Sequence, residues 1–227
     1  MLTIAHTIVE MAEKYPDRPA LTVDGETWGY RELLSAASHI ATHLLQSEKN
    51  RKQEKTGPLD RLPVTAVVAQ RHASSYIGIF AALLSGHTYV PINLKHPARR
   101  NLSALRQSGA DTIICSTHST EKFNNLLVEA VALDEKSSGE NLNLQLIDCG
   151  DKKTAFDLTK QKLKTIAMPS ADKIIYILFT SGSTGEPKGV PITYANLGAY
   201  LNSVDGIMDV TPEDCFSQTF ELTFDPS

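Results

Sequence analysis

Short β-branched runs that alternate with helical apolar stripes constrain the fold of this 227-residue chain more than any other sequence feature. The runs have little polar alternation, which is typical of strands covered on both faces, and they lie at 64–68, 89–92, 112–115 and 174–179. Apolar residues at helical spacing lie at 4–15, 33–45, 76–84, 102–105, 123–131 and 197–204. This alternation predicts an α/β fold with a mostly parallel sheet flanked by helices and right-handed crossovers.

Composition excludes several classes of protein. With 41% apolar and 21% charged residues the chain is neither disordered nor collagen-like. A net charge of -4 gives no general electrostatic reason to bind nucleic acid or an anionic membrane. The first residues lack a secretion signal, and the most apolar stretches, 77–84 and 174–179, fall well short of the roughly 18 residues that span a bilayer. We therefore expect a cytoplasmic protein without nucleic-acid or membrane partners.

Cysteine and histidine provide no strong site signal. Cys115, Cys149 and Cys215 are too widely spaced for a metal framework and too few for an even disulfide set, so we expect free thiols in a reducing compartment. Cys115 and Cys215 lie at the ends of predicted strands and are expected to be small core residues. His39 and His43 have a spacing that could bind metal, but no third ligand is evident, and solvent-facing helix positions are the simpler interpretation.

Two polar segments interrupt the α/β pattern. Residues 47–63 carry a dense run of charged side chains and are predicted to be a surface loop. Residues 134–172 are also polar except at 142–147, which could form one strand. We expect 134–172 to connect the first part of the sheet to the strand at 174–179.

The sequence after the last apolar run has the composition of an anion-binding turn. Residues 180–188 contain two glycines, four hydroxyl side chains, a proline and a lysine. Glycine permits close backbone approach, and successive N–H groups form nests for anions. The spacing is not that of a Walker loop, because Gly182 and Gly185 are three residues apart and Gly189 follows Lys188. From the residues alone, a polyphosphate-binding loop and a flexible surface turn both stay open.

Residues 180–189, TSGSTGEPKG, resemble the phosphate-loop signature of the adenylate-forming (AMP-binding) superfamily, which includes acyl-CoA synthetases, luciferases and adenylation domains of nonribosomal peptide synthetases. Three further segments resemble motifs of the amino-acid-adenylating branch, in the right order. They are 27–33, which has one extra residue; 84–93, in which Asn93 replaces the usual aspartate; and 224–227, which fits Phe-Asp-x-Ser. The chain thus resembles the N-terminal part of an amino-acid adenylation domain of the peptide synthetase or D-alanine–carrier protein ligase type.

The resemblance implies a ligase that uses ATP and Mg²⁺. The substrate carboxylate would attack the α-phosphorus of ATP, giving an acyl-adenylate and pyrophosphate. The phosphopantetheine thiol of a carrier protein would then accept the acyl group. The implied phosphate-binding residues are Thr180, Ser181, Gly182, Ser183, Thr184, Gly185 and Lys188. Among them Thr184 is the hydroxyl expected near the metal, and Lys188 either contacts phosphate or braces the loop.

Phe224 and Asp225 are the implied substrate-binding residues. In the amino-acid-activating branch the matching aspartate receives the substrate ammonium group, and a site built around that contact rejects deaminated analogues. A local alternative stays open, because Asp225 followed by Pro226 is also a favourable helix start. The alternative substrate class is a fatty, aryl or other non-amino carboxylic acid. A non-enzymatic scaffold is disfavoured, because a loop without a catalytic function need not keep all the residues of the motif at 180–188.

The resemblance also implies that residues 1–227 are the incomplete N-terminal part of a large adenylation domain, truncated before its second sheet is complete. The family's adenine, ribose and catalytic lysine contacts come later in its sequence, so we expect no catalytic residue within 1–227. The complete enzyme is expected to be active and this piece alone inactive. We predict that 214–219 forms a strand whose partners lie beyond Ser227, and that its unpaired edge promotes association.

Overall fold

The computed structural model describes residues 4–54, 63–133, 144–149, 169–181, 186–205 and 207–223. The helices in these ranges are α1 (Ile4–Lys14), α2 (Tyr30–Glu54), α3 (Ala73–Ser85), α4 (Ala98–Ser108), α5 (Thr117–Leu133) and α6 (Tyr194–Asp205). The strands are β1 (Pro19–Val23), β2 (Glu26–Gly29), β3 (Val64–Val68), β4 (Thr88–Ile92), β5 (Thr112–Cys115), β6 (Gln145–Asp148), β7 (Ile174–Ser181) and β8 (Pro187–Thr193). Each apolar run and stripe of the sequence therefore corresponds to one of these elements.

Six strands form one sheet in the order β6-β5-β3-β4-β7-β8. All neighbours are parallel except β7 and β8, which are antiparallel. The predicted α/β fold with a mostly parallel sheet is thus confirmed. The β4–β7 ladder consists of a single register pair, Tyr89 with Tyr176, whose rings pack at 5.4 Å between centroids. Thr88 Oγ1 also donates to the carbonyl of Ile174 at 2.7 Å.

Helices cover both faces of the sheet. Helices α1, α2 and α3 pack on one face in a core that includes Trp28, Leu44 and Ile114. Helices α4 and α5 pack on the other face, around Leu105 and Phe123. Strand β5 shows why its run is uniformly apolar: Ile114 contributes to the first core, while its neighbours along the strand contribute to the second.

Glycine ends two of the core helices in the left-handed conformation. Gly86 follows α3 with φ 74° and Gly109 follows α4 with φ 68°, and their backbone N–H groups donate to carbonyls of the last helical turn. These stops place β4 and the segment before β5 directly after their helices. Gly86 and Gly109 thus end the helices that contain the apolar stripes at 76–84 and 102–105.

Strands β1 and β2 form an antiparallel hairpin outside the main sheet. Its two-residue turn is Asp24-Gly25, with φ of 53° and 76°. Positive φ at both positions is characteristic of the tight hairpin turns for which Asp-Gly is a preferred sequence. The hairpin was not predicted, because the flanking segments are short and only weakly apolar. Trp28 on β2 is 3% exposed, as expected for a core anchor.

Helix α2 is longer than its apolar stripe. It continues to Glu54, so the prediction of a loop at 47–63 is wrong for residues 47–54. The charged side chains there are good helix formers, which need no buried stripe to continue a helix that has already begun. Residues 55–62 lie outside the described part. In the predicted connector 134–172, strand β6 is described, while 134–143 and 150–168 are outside the described residues.

The prediction of a strand at 214–219 is wrong, because these residues have no regular secondary structure. Asp214 Oδ2 instead accepts hydrogen bonds from the backbone N–H and the hydroxyl of Thr211, at 2.7 and 2.9 Å, which stabilises a turn. Cys215 is exposed and is not the core residue that was expected, whereas Cys115 and Cys149 are buried. All three thiols are free.

His39 and His43 contact each other on α2, with 3.2 Å between their Nε2 atoms. His43 is exposed and His39 is half-buried, which only partly matches the predicted solvent-facing positions. Within the described ranges, no group of three or more His, Cys, Asp or Glu side chains is arranged to hold a metal ion. The helices described here are also too short or too polar to cross a bilayer.

Candidate functional site

The predicted phosphate loop joins the two strands of a hairpin at one edge of the sheet. Strand β7 ends at Ser181, and Pro187, which begins β8, is its cross-strand partner. One residue pair further from the loop, Thr180 lies opposite Lys188, and the Thr180 hydroxyl donates to the Lys188 carbonyl at 3.5 Å. Because a paired hairpin fixes the separation of its two strand ends, the loop has defined anchor points on both sides.

The described residues include only part of the predicted phosphate-binding set. Thr180 and Ser181 are exposed at the end of β7, and Lys188 is exposed near the start of β8. Four residues of the set lie outside the described part: Gly182, Ser183, Thr184 and Gly185. Phe224 and Asp225 also lie outside it. The structure therefore defines the anchors of the loop and the chain that leads to Phe224.

A cavity of about 640 Å³ lies beside the loop anchors. Strand β7 contributes Leu178, Phe179, Thr180 and Ser181 to its lining. The remaining lining residues come from β8, from the segment around α4 and from the last described segment: His96, Arg100, Val190, Ile192, Thr219, Phe220, Glu221 and Thr223. Its volume falls within the 300–1,000 Å³ typical of small-molecule sites.

The cavity lies where ligands usually bind in folds of this type. Strands β3, β4, β5 and β7 are mutually parallel, so their carboxyl ends meet at one edge of the sheet. Helix α3 follows β3 on one face and α4 follows β4 on the other. Such divergence opens a crevice at the carboxyl edge of an open α/β sheet. Thr180 and Ser181, at the carboxyl end of β7, belong to the cavity lining at this edge.

The ionisable side chains of the cavity lining are His96, Arg100 and Glu221. Arg100 Nη2 donates to the carbonyl of Phe179 at 3.0 Å, which holds its guanidinium beside the end of β7. Partial burial lowers the pKa of His96, and the positive charge of Arg100 lowers it further, while the Glu221 carboxylate opposes the shift. The lowered pKa favours the neutral form of His96, so the permanent positive charge of the lining belongs to Arg100.

Asn93 links the carboxyl end of β4 to the last described segment. Its Nδ2 donates to Glu221 Oε2 at 2.8 Å, and its Oδ1 accepts from the backbone N–H of Lys95 at 2.9 Å. An aspartate at this position would place a second carboxylate against Glu221, and like charges at that distance repel. Asparagine in place of the usual aspartate at position 93 therefore suits this structure, because the Asn93 amide donates a hydrogen bond to the Glu221 carboxylate.

The segment that leads to Phe224 is held against the carboxyl edge by a second contact. Arg71, which follows β3, donates from Nη2 to the carbonyl of Thr219 at 2.9 Å. Lys95 lies 3.9 Å from Glu221, an exposed ion pair that adds little stability. These contacts place 219–223 along one side of the cavity.

Sequence reasoning missed the contribution of residues 93–100 to the site. Their sequence predicts no role for His96, and for Arg99 and Arg100 the simplest interpretation is a solvated helix face. Arg99 is exposed, whereas Arg100 is half-buried and bonded to β7. A usable signal was present, because Arg100 follows the carboxyl end of a predicted parallel strand, where ligands of α/β sheets bind.

The chain is similar to several known proteins over nearly its whole length. Bacitracin synthase 2 from Bacillus licheniformis is 28% identical over 223 residues, which cover 98% of this chain and 7% of that protein. The solved structure of IdnL7 is 26% identical with a TM-score of 0.70, covering 98% of this chain and 41% of its own. The adenylation domain AlmE of Vibrio cholerae, solved with glycyl-adenosine-5'-phosphate, is 22% identical with a TM-score of 0.70, covering 100% of this chain and 42% of its own.

These relatives are longer than the chain, which spans well under half of each. The family model for AMP-binding enzymes matches residues 8–227. That match includes the β7–β8 hairpin, the cavity lining and the segment leading to Phe224. The chain therefore belongs to the AMP-binding enzyme family.

Proposed function

We propose that the protein containing this chain uses ATP to adenylate the carboxylate of an amino acid and transfers the acyl group to a carrier protein. The observation that carries the proposal is the signature loop 180–189, whose two anchoring strands border a cavity at the carboxyl edge of the sheet. Membership of the AMP-binding enzyme family and similarity to a peptide synthetase support the same reaction.

In the first step a carboxylate oxygen forms a bond to the α-phosphorus of ATP while the bond from that phosphorus to pyrophosphate breaks. Such reactions depend on holding the reactants in line and on neutralising phosphate charge. Thr180, Ser181 and Arg100 line the cavity, and their hydroxyl groups and positive charge are proposed to act on the phosphates. The backbone N–H groups and hydroxyls of 182–185 are proposed to bind the β- and γ-phosphates. Lys188 is proposed either to contact phosphate or to brace the loop.

A bound Mg²⁺ would neutralise charge on the phosphates. The chemistry of the lining fits such an ion, because Mg²⁺ in nucleotide sites takes most of its ligands from phosphate and water, and the lining contains the oxygen-bearing side chains of Glu221, Thr180 and Ser181. The hydroxyl of Thr184 is the proposed protein group near it. The phosphopantetheine thiol of a carrier protein is the proposed acceptor in the second step, and a cytoplasmic location is part of the same proposal.

The amino-acid substrate is proposed because of Asp225. A carboxylate at this position would accept hydrogen bonds from the substrate ammonium group, and such charge-assisted bonds contribute roughly 1.5–3 kcal/mol. The second candidate is activation of a non-amino carboxylic acid by the same chemistry. It is favoured if Asp225 serves only as the N-cap of a helix that begins at Pro226.

ATP–pyrophosphate exchange by the full-length protein tests the proposal. The panel pairs each amino acid with its des-amino analogue, for the wild type and for Asp225→Ala. We expect exchange with one or a few amino acids, little with the analogues, and a loss in Asp225→Ala of at least about tenfold that is confined to the amino acids. Equal losses for both members of each pair would contradict amine recognition, and exchange supported only by des-amino acids would establish the second candidate.

A further inference from the structure

One face of α4 is hydrogen-bonded to both strands of the β7–β8 hairpin, close to the phosphate loop. Arg100 donates to the carbonyl of Phe179 at 3.0 Å, near the end of β7. Gln107 Nε2 donates to the carbonyl of Pro187 at 3.0 Å, at the start of β8. Helix α4 therefore holds the backbone immediately before and immediately after the loop.

A third side chain on the same face connects these two contacts. The Ser103 hydroxyl donates to Glu186 Oε2 at 3.2 Å and accepts from Gln107 Nε2 at 2.9 Å. Residues 100, 103 and 107 are spaced by three and four positions, so they share one face of the helix. We call Arg100, Ser103 and Gln107 the α4 brace.

The α4 brace bonds to backbone carbonyls on either side of the loop. Phe179 O and Pro187 O lie on paired strands, two residues before and six residues after Ser181. Pro187 is buried and has no N–H with which to extend the ladder toward the loop. The hydrogen bond from Gln107 therefore adds an anchor for β8 at a residue that cannot donate to the strand ladder.

We propose that the α4 brace is a set of positioning residues that orients the phosphate loop toward the nucleotide. This inference rests on the proposed function, since it assigns the loop to the phosphates of ATP. The brace acts through the loop anchors at Phe179, Glu186 and Pro187 and forms no bond in the reaction. Displacing an anchor by a fraction of an ångström would weaken the donor geometry on which phosphate-transfer sites depend.

Steady-state ATP–pyrophosphate exchange by the full-length protein tests the brace through Gln107→Ala and Ser103→Ala, since neither residue belongs to the cavity lining. Loss of one net hydrogen bond corresponds to about a fivefold effect. We expect the KM for ATP to rise by about that factor, while the KM for the carboxylic acid changes less than about twofold.

Ser108→Ala is the matched control on the same helix. Its hydroxyl donates to the Leu105 carbonyl at 3.0 Å within α4 and makes no hydrogen bond to the described part of the hairpin. We expect its KM for ATP to match the wild type. A lower rate in the brace variants with both KM values unchanged would overturn the proposal, because a purely structural role reduces the amount of active protein without selective loss of ATP affinity.

Hydrogen exchange separates failure of the brace from failure of the proposed function. In Gln107→Ala, peptides covering Pro187–Thr193 should exchange about fivefold faster than in the wild type, whether or not the protein has adenylating activity. Unchanged exchange in β8 would overturn the brace. If the wild type shows no ATP–pyrophosphate exchange with any acid, the proposed function is overturned, and with it the assignment of the loop to ATP. Faster hydrogen exchange in β8 of Gln107→Ala would in that case still support the brace as an anchor of the hairpin.

Discussion

A single hydroxyl of the phosphate loop should account for a measurable part of the reaction rate. Removing one well-placed donor to developing charge typically lowers a rate about 10²- to 10³-fold. We therefore expect Thr184→Ala in the full-length protein to reduce ATP–pyrophosphate exchange by a factor in that range. Thr22→Ala is a suitable control, because it removes an equivalent hydroxyl from the exposed β1–β2 hairpin. Exchange by Thr184→Ala within about twofold of the wild type would contradict the role given to this residue.

Gly78 is required by the packing of α3 on the sheet. A Cβ at this position would lie 2.9 Å from Val67 Cγ1 and 3.0 Å from Ile114 Cγ2. Both are branched side chains of central strands and have little freedom to move. We expect Gly78→Ala to lower the free energy of unfolding by about 1–3 kcal/mol in urea titrations. The same substitution at Gly198, on a helix without buried residues, should be neutral or slightly stabilising.

At the scale of elements, the turn of the β1–β2 hairpin depends on backbone conformation. Gly25 has φ +76°, and nothing lies within 4 Å of a Cβ built there, so any cost of substitution comes from the backbone. We expect Gly25→Ala to destabilise the protein by about 1–2 kcal/mol. Gly25→Asn should cost less, since asparagine tolerates the left-handed region. Equal destabilisation by alanine and asparagine in urea titrations would contradict a conformational origin.

The main elements could be predicted because their apolar periodicity matches what the sheet buries. Strands β3, β4 and β5 are buried on both faces and β7 is partly buried, so all four appear as apolar runs. Strand β8 lies at the edge, is largely exposed and contains two prolines, so its sequence carries no such pattern. The extension of α2 to Glu54 was missed for a similar reason, because a polar helix has no apolar stripe.

The candidate site could be predicted only where it is local in sequence. Residues 180–188 form one continuous segment, so their motif can be recognised from the sequence alone. Arg100 and Glu221 reach the cavity through tertiary structure, from segments far apart in the chain. Their proximity depends on the strand order, in which β7 pairs with β4, and no local pattern encodes that pairing.

At the scale of the whole molecule, the three thiols should differ sharply in reactivity. Burial raises the pKa of the Cys149 thiol, with smaller contributions from Cys115 and Asp148, and burial also raises the pKa of Cys115. Because the thiolate is the reactive form, iodoacetamide should modify exposed Cys215 at least about tenfold faster than either buried cysteine. Peptide mass spectrometry reads each site separately, and urea should remove the difference. Equal rates in the native protein would contradict the burial of Cys115 and Cys149.

The short pairing between β4 and β7 affects the order in which the sheet can form during synthesis. Only one register pair joins these strands, and the bond from Thr88 to the Ile174 carbonyl spans 86 residues of chain. Strands β3 to β6 leave the ribosome before β7 and β8, and they pair mainly with one another. The β7–β8 hairpin, which carries the proposed phosphate loop, must dock afterwards on strands that are already paired, so a nascent chain forms most of its sheet before the proposed loop is held in place.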